Sequence, residues 1–179
     1  MGKTILVISS SPRKNGNSEL LCDRFIEGAT ESGNTAEKIS LREKDIHFCK
    51  ACDACKANAG TCVQRDDMAA ILEKMLAADV LVLATPVYFY AVSGQLKTLM
   101  DRCYARYEEM RGKECYFMLT AAVPGRDAVQ RAVEDFRGFV SCLPDAVEKG
   151  VVYGTGAWNK GDIRGTQAMD EAYALGKSV

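Results

Sequence analysis

Two stretches of this chain carry residue types at spacings that can do chemistry. The first is Ser9-Ser10-Ser11-Pro12-Arg13-Lys14-Asn15-Gly16-Asn17-Ser18, which follows an apolar segment and leads into a helical pattern. Unpaired backbone N–H groups and the positive end of the helix dipole face such a loop. Ser9, Ser10, Ser11, Asn17 and Ser18 offer further donors, so its natural guest is a phosphate. The second stretch holds Cys49, Cys52, Cys55 and Cys62 in a C-x2-C-x2-C-x6-C pattern. Two-residue gaps let successive thiolates turn toward one centre, and Ala51, Ala54, Ala57, Ala59 and Gly60 put little bulk in their way. That favours a 4Fe-4S cluster. Zinc on the same thiolates is the nearest rival, since thiolates suit both metals, and a disulfide or free thiols without metal is the third reading.

Residue content narrows the phosphate loop. A dinucleotide fingerprint needs G-x-G-x-x-G, and this loop has only Gly16; a Walker-type loop ends in Gly-Lys-Ser/Thr, and here Asn17 follows Gly16. No cysteine precedes Cys22, which excludes a cysteine-nucleophile phosphatase at this loop. A third stretch, Thr85-Pro86-Val87-Tyr88-Phe89-Tyr90, follows another apolar run and has the opposite chemistry. Its rigid turn and aromatic faces suit a flat heteroaromatic ring, against the plainer alternative that the aromatics pack under a loop. The single His47 precludes a multi-histidine metal site, and no good set of side chains for acid–base or nucleophilic work is present. Redox chemistry in this chain would therefore belong to a cofactor.

The elements that must position these residues alternate regularly. Ile5 to Ile8 is an unbroken apolar run, as in a strand buried on both faces. A helix follows with Leu21, Phe25 and Ala29 on one face and ends near Gly33, and Thr35 to Leu41 is a second strand. The segment from His47 to Val63 shows no helical or strand period and reads as a long functional loop. Asp66 and Asp67 open a helix, Asp79 to Thr85 is the third strand, and a helix begins at Ser93-Gly94. Glu114 to Val123, Asp127 to Cys142, Val147 to Gly154 and Gly165 to Lys177 complete the order as strand, helix, strand and helix. This alternation predicts an α/β three-layer sandwich, flavodoxin-like, with a five-stranded parallel sheet in the order 2-1-3-4-5. Ligands of such sheets sit beyond the strand carboxyl ends where the order reverses, here between strands 1 and 3, which is where the serine and aromatic loops meet.

At 179 residues and 47% hydrophobic, the chain suits one domain spanning 1–179 with a cysteine-rich loop at 47–63. Lysine plus arginine number 23 against 24 acidic residues, which argues against nucleic acid or an anionic membrane surface as partner. The N-terminal apolar run is too short for a signal segment, so the expected location is cytoplasmic. Of eight cysteines, the four outside the cluster pattern, Cys22, Cys103, Cys115 and Cys142, fall within helical or strand patterns and read as small core residues.

Ser11-Pro12-Arg13-Lys14-Asn15-Gly16-Asn17-Ser18, Thr85 to Tyr90, Ser93-Gly94-Gln95-Leu96-Lys97 and Asp101-Arg102 together resemble the NADPH-dependent FMN reductase family. The cysteine loop with Asp66-Asp67-Met68 resembles its iron-sulfur flavoprotein branch, and the likeness extends to the tail around Trp158, Gly161-Asp162 and Ala172-Tyr173. The resemblance implies FMN, its phosphate held by Ser11, Arg13, Asn17 and Ser18 and its ring by Pro86, Val87, Tyr88 and Phe89. The loop after the fourth strand, near Thr120 to Gly125, would close the other side, and Ser9 and Asn15 complete the candidate set. The implied activity is an NAD(P)H-dependent FMN oxidoreductase serving a small-molecule acceptor. With a cluster in place, the alternative is an electron carrier fed by a ferredoxin-like donor. A homodimer or homotetramer is also implied. One departure is Ser10, where the family usually has glycine; its hydroxymethyl either crowds the turn or adds a donor.

Overall fold

A computed structural model describes residues 2–179. The element order is β1 (Thr4–Ser9), α1 (Asn17–Glu31), β2 (Thr35–Ser40), α2 (Ala54–Ala57), α3 (Met68–Ala77), β3 (Val80–Pro86), α4 (Gly94–Arg102), β4 (Glu114–Ala121), α5 (Gln130–Ser141), β5 (Val147–Thr155) and α6 (Gln167–Lys177). All strand pairs are parallel and the sheet order is β2-β1-β3-β4-β5, as the alternation predicted.

The period of two in each strand sorts side chains onto two faces. Ile5, Val7, Val80, Val82, Tyr116 and Met118 point to one side, where Leu21 and Phe25 of α1 and Ala168 and Ala172 of α6 cover them. Leu6, Ile8, Leu81, Leu83, Phe117 and Leu119 point to the other, against Ile71 and Met75 of α3, Leu96 and Leu99 of α4, and Val133 and Phe136 of α5. Both faces are thus buried, which is why β1 and β3 read as unbroken apolar runs rather than alternating ones. Helices α1 and α6 meet at backbone distance: a Cβ on Gly176 would lie 2.1 Å from Phe25 O, and one on Gly28 2.2 Å from Tyr173 O. Among the described residues, no helix is long and apolar enough to cross a membrane.

Two sequence expectations need correction. The segment from His47 to Val63 contains one helical turn, α2, entered through Asp53 at φ 53° and carrying Cys55. Four residues make a single turn, too short to leave a period in the sequence. Cys22, Cys103 and Cys115 are core residues as expected, but Cys142 is exposed. It lies just past the end of α5, where its Sγ reaches Gly138 O at 3.5 Å rather than the core. Burial pushes the Cys22 and Cys115 thiols up to about 12, so both stay protonated and inert.

Candidate functional site

The loops after β1 and β3 face each other at the carboxyl end of the sheet. Between them lies a cleft of about 280 Å³ lined by Ser11, Arg13, Gly16, Asn17, Ser18, Pro86, Val87, Tyr88, Phe89, Thr120, Ala121, Ala122, Ala157, Trp158 and Lys160. Nine of the predicted cofactor-binding positions are brought together here. Ser9 and Asn15 are not. Ser9 is fully buried at the end of β1, and Asn15 is exposed with its backbone N–H donated to Glu19 Oε2 at 2.6 Å.

At the polar end, α1 begins without a side-chain cap, because its N-cap is Gly16. A Cβ at Gly16 would sit 2.4 Å from Ser11 Oγ and 3.0 Å from Arg13 O, so the turn closes only around a residue with no side chain. Ser11 Oγ accepts from Arg13 N at 3.2 Å and donates to Arg13 O at 3.0 Å, which shapes the loop ahead of the helix. Ser18 Oγ lies in the first turn, buried at the cleft wall, and finds no hydrogen-bond partner among the described residues. A buried hydroxyl without a partner is costly unless a guest satisfies it. An uncapped helix start, an orphaned hydroxyl and the Arg13 cation together fit a phosphomonoester.

The first turn of α1 carries a carboxylate, Glu19, that would repel such a guest if it faced the cleft. It faces away and is spent. Burial pushes its carboxyl up, but Arg42 Nη1 at 2.9 Å, the Asn15 N–H, Lys38 and Ser40 Oγ outweigh that and hold it below the usual carboxylate range. The Ser10 question resolves toward an added donor: its Oγ donates to Ala84 O and accepts from Ser93 Oγ, at 2.9 and 2.8 Å. Ser93 also caps α4, so one hydroxyl chain fixes the loop after β1 to the loop after β3.

The apolar end is a two-residue turn. Tyr88 N and Ala91 N each donate to the other's carbonyl, at 3.2 and 3.1 Å, and Phe89 and Tyr90 between them sit at φ 50° and 65°. Left-handed backbone costs side-chain-bearing residues roughly 1–2 kcal/mol each. Val87 N donates to Thr120 O at 2.8 Å and Ser93 N to Thr85 Oγ1 at 2.9 Å, which hold the strained turn from both sides. Phe89 is wholly exposed, Trp158 largely so, and Tyr88 and Tyr90 about half exposed. These aromatics do not pack under a loop, which sets aside the plainer alternative.

Sequence reasoning passed over Trp158 and Lys160 as cleft residues. The signal was topological: the chain leaves β5 at the sheet edge and must reach the α1 side to lay down α6, so its connection passes the mouth of the cleft.

The cysteine loop lies at the far end of α4. Arg102, the last residue of that helix, donates to Asp66 Oδ2 and Oδ1 at 2.5 and 3.1 Å, to His47 O at 2.8 Å, and to Cys62 Sγ at 3.5 Å. Asp66 in turn accepts from His47 N and Met68 N. Burial raises the Asp66 carboxyl, yet Arg102 and those two N–H groups keep it below its usual range. One buried ion pair thus closes both ends of the loop. Between those ends, Cys49 and Cys52 are exposed and Cys55 and Cys62 half-buried, all as free thiols. Four free thiols in one loop match a cluster in kind and number. They do not converge: among the described residues no group of three or more potential ligands is placed to hold a metal.

A parallel 2-1-3-4-5 sheet with a phosphate-type cleft at its reversal point defines a flavodoxin-like, nucleotide-cofactor class of protein. Residues 4–159 match the family model of NADPH-dependent FMN reductase, and the chain belongs to that family. An iron-sulfur flavoprotein of Methanocaldococcus jannaschii is 45% identical over 98 residues, covering 55% of this chain and 50% of the relative. The chain spans about half the length of most curated relatives it matches. An iron-sulfur flavoprotein of Archaeoglobus fulgidus instead matches over 98% of this chain and 93% of its own length, at 28% identity. Among solved structures, an FMN-dependent NADH-azoreductase of Bacillus anthracis in complex with FMN superposes with TM-score 0.74 at 16% identity, covering 98% of each chain. The Trp repressor binding protein of Bacillus subtilis does so with TM-score 0.72 at 24% identity and 96% coverage of each.

Proposed function

We propose that this protein is an FMN-dependent oxidoreductase that draws electrons from NADH or NADPH and delivers them to a small-molecule acceptor. The observation that carries this is the pairing, across one cleft, of an uncapped helix start with an orphaned Ser18 hydroxyl and an exposed aromatic turn at residues 88–91. Ser18, the Arg13 side chain and the first N–H groups of α1 would hold the phosphate; Pro86, Val87, Tyr88 and Phe89 would border the ring, with Thr120 and Ala121 beside them on β4. When bound there, FMN supplies two-electron uptake from a nicotinamide and release to an acceptor. The protein's own part is to bind, orient and shield. Tyr88, Phe89, Tyr90 and Trp158 form an apolar rim exposed on the isolated chain, which supports assembly as a homodimer or homotetramer with the rim covered.

A second reading is favoured by the C-x2-C-x2-C-x6-C loop and by relatives named iron-sulfur flavoproteins. Cys49, Cys52, Cys55 and Cys62 would ligate a 4Fe-4S cluster, which supplies one-electron exchange with a ferredoxin-like donor. Stopped-flow measurement on anaerobically purified protein separates the two. Rapid bleaching of the flavin absorbance by NADPH or NADH supports the reductase. Bleaching by reduced ferredoxin alone rejects it in favour of the carrier.

A further inference from the structure

We propose that the turn between β5 and α6 forms a second wall of the phosphate site, with Lys160 as its cation and Asn17 as the positioning residue that holds it. This rests on the FMN reading and adds residues to it. The side chain of Asn17 has two donors and two acceptor lone pairs, and all four are used. Nδ2 donates to Ala157 O at 3.2 Å and to Asn159 O at 2.8 Å, while Oδ1 accepts from Gly161 N at 2.9 Å and Ile163 N at 3.4 Å. No side-chain capacity remains for a phosphate. Instead of being a ligand, as its place in the loop suggested, Asn17 contributes backbone and geometry.

Its partners bracket Lys160 in sequence, so the backbone of Lys160 is fixed over the first turn of α1. Ile163, buried in the core, anchors the turn from one side. Asp162, the acidic group within the turn, is folded back onto Asn159 N at 2.6 Å. Lys160 lines the same cleft as Arg13, and among the described residues neither has a carboxylate within ion-pair distance. By contrast, Lys38 and Arg42, outside the cleft, are both paired. Two unneutralised cations at one end of a cleft match a guest carrying about two negative charges.

The test compares dissociation constants for FMN and riboflavin, read by flavin fluorescence, in the wild type, Lys160→Met, Asn17→Ala and the double variant. The expected result is that Lys160→Met lowers the preference for FMN over riboflavin roughly tenfold without weakening riboflavin, and that Lys160→Arg restores it. Asn17→Ala should lower the preference by the same factor and, by loosening the turn, speed tryptic cleavage after Lys160 and Arg164, which are exposed but held in place in the wild type. The double variant should be no worse, since both changes remove one interaction. A merely structural role for Asn17 would weaken both flavins alike and add to the Lys160 effect, and that outcome overturns the positioning claim. An unchanged preference in Lys160→Met overturns the proposal, and this exposed substitution decides it even if Asn17→Ala fails to fold. A wild type that binds neither flavin rejects the FMN reading itself, which keeps the two failures distinct.

Discussion

Ser18 is the residue on which the anion reading bears hardest, because its hydroxyl is buried and unpartnered within the first turn of α1. Ser18→Ala is expected to weaken FMN by about 1.5–3 kcal/mol, the worth of a charge-assisted hydrogen bond, and to leave riboflavin binding unchanged. Equal loss for both flavins in a titration would reject a phosphate role. The buried Arg102–Asp66 pair, with side chains 2% and 0% exposed, makes a different prediction. Removing one partner strands a buried charge, so Asp66→Asn should cost roughly 3–5 kcal/mol in urea unfolding. Both Glu19 and Asp66 are held below their ordinary values of 4.5 and 3.8. A depressed folded value means stability that is complete above the ordinary value and lost as pH falls through the folded one. Unfolding midpoints should therefore be flat from neutral pH to about 5 and fall below about pH 4, and the Asp66→Asn variant should show a shallower fall.

Among the elements, the turn at Phe89-Tyr90 departs furthest from what its backbone prefers. A two-residue turn with both centres left-handed favours Asn-Gly, and here two aromatics occupy it. Replacing Phe89-Tyr90 by Asn-Gly should stabilise the fold by about 1–2 kcal/mol, raising Tm by roughly 2–8 °C in calorimetry, while weakening flavin binding or assembly. A gain in Tm with no loss of either would show that the aromatics are not functional. Helices α1 and α6 carry the opposite constraint. A side chain at Gly176 would collide with the Phe25 carbonyl of a neighbouring helix, so Gly176→Ala should destabilise by roughly 1–3 kcal/mol, measured by chemical denaturation.

At the scale of the whole molecule, α4 joins the two sites. It is capped by Ser93 beside the cleft and ends at Arg102 beneath the cysteine loop, nine residues or about 13 Å away. No cysteine lines the cleft. Changing Cys49, Cys52, Cys55 or Cys62 to Ala should therefore leave FMN stoichiometry intact, and in the cluster reading each change removes most of about four irons per chain. Loss of FMN along with iron would show that the loop shapes the cleft.

The sheet order and the position of the cleft were legible in the sequence because they depend on local signals. Unbroken apolar runs mark strands covered on both faces, and the handedness of crossovers leaves few orders for five of them. The serine loop was legible too, since a strand, a polar loop and a helix start are contiguous. What the sequence could not decide was how each polar side chain is spent. Asn17 is adjacent to Ser18, and both types can bind a phosphate; only the folded chain shows Asn17 saturated by residues some 140 positions away while Ser18 is left free. Arg102 as the clasp of the cysteine loop, Ser10 as a link between loops, and Lys160 at the cleft arise in the same way. Each depends on contacts between residues far apart in sequence, mostly side chain to backbone, and those are fixed by packing the helices onto both faces of the sheet, not by any spacing along the chain.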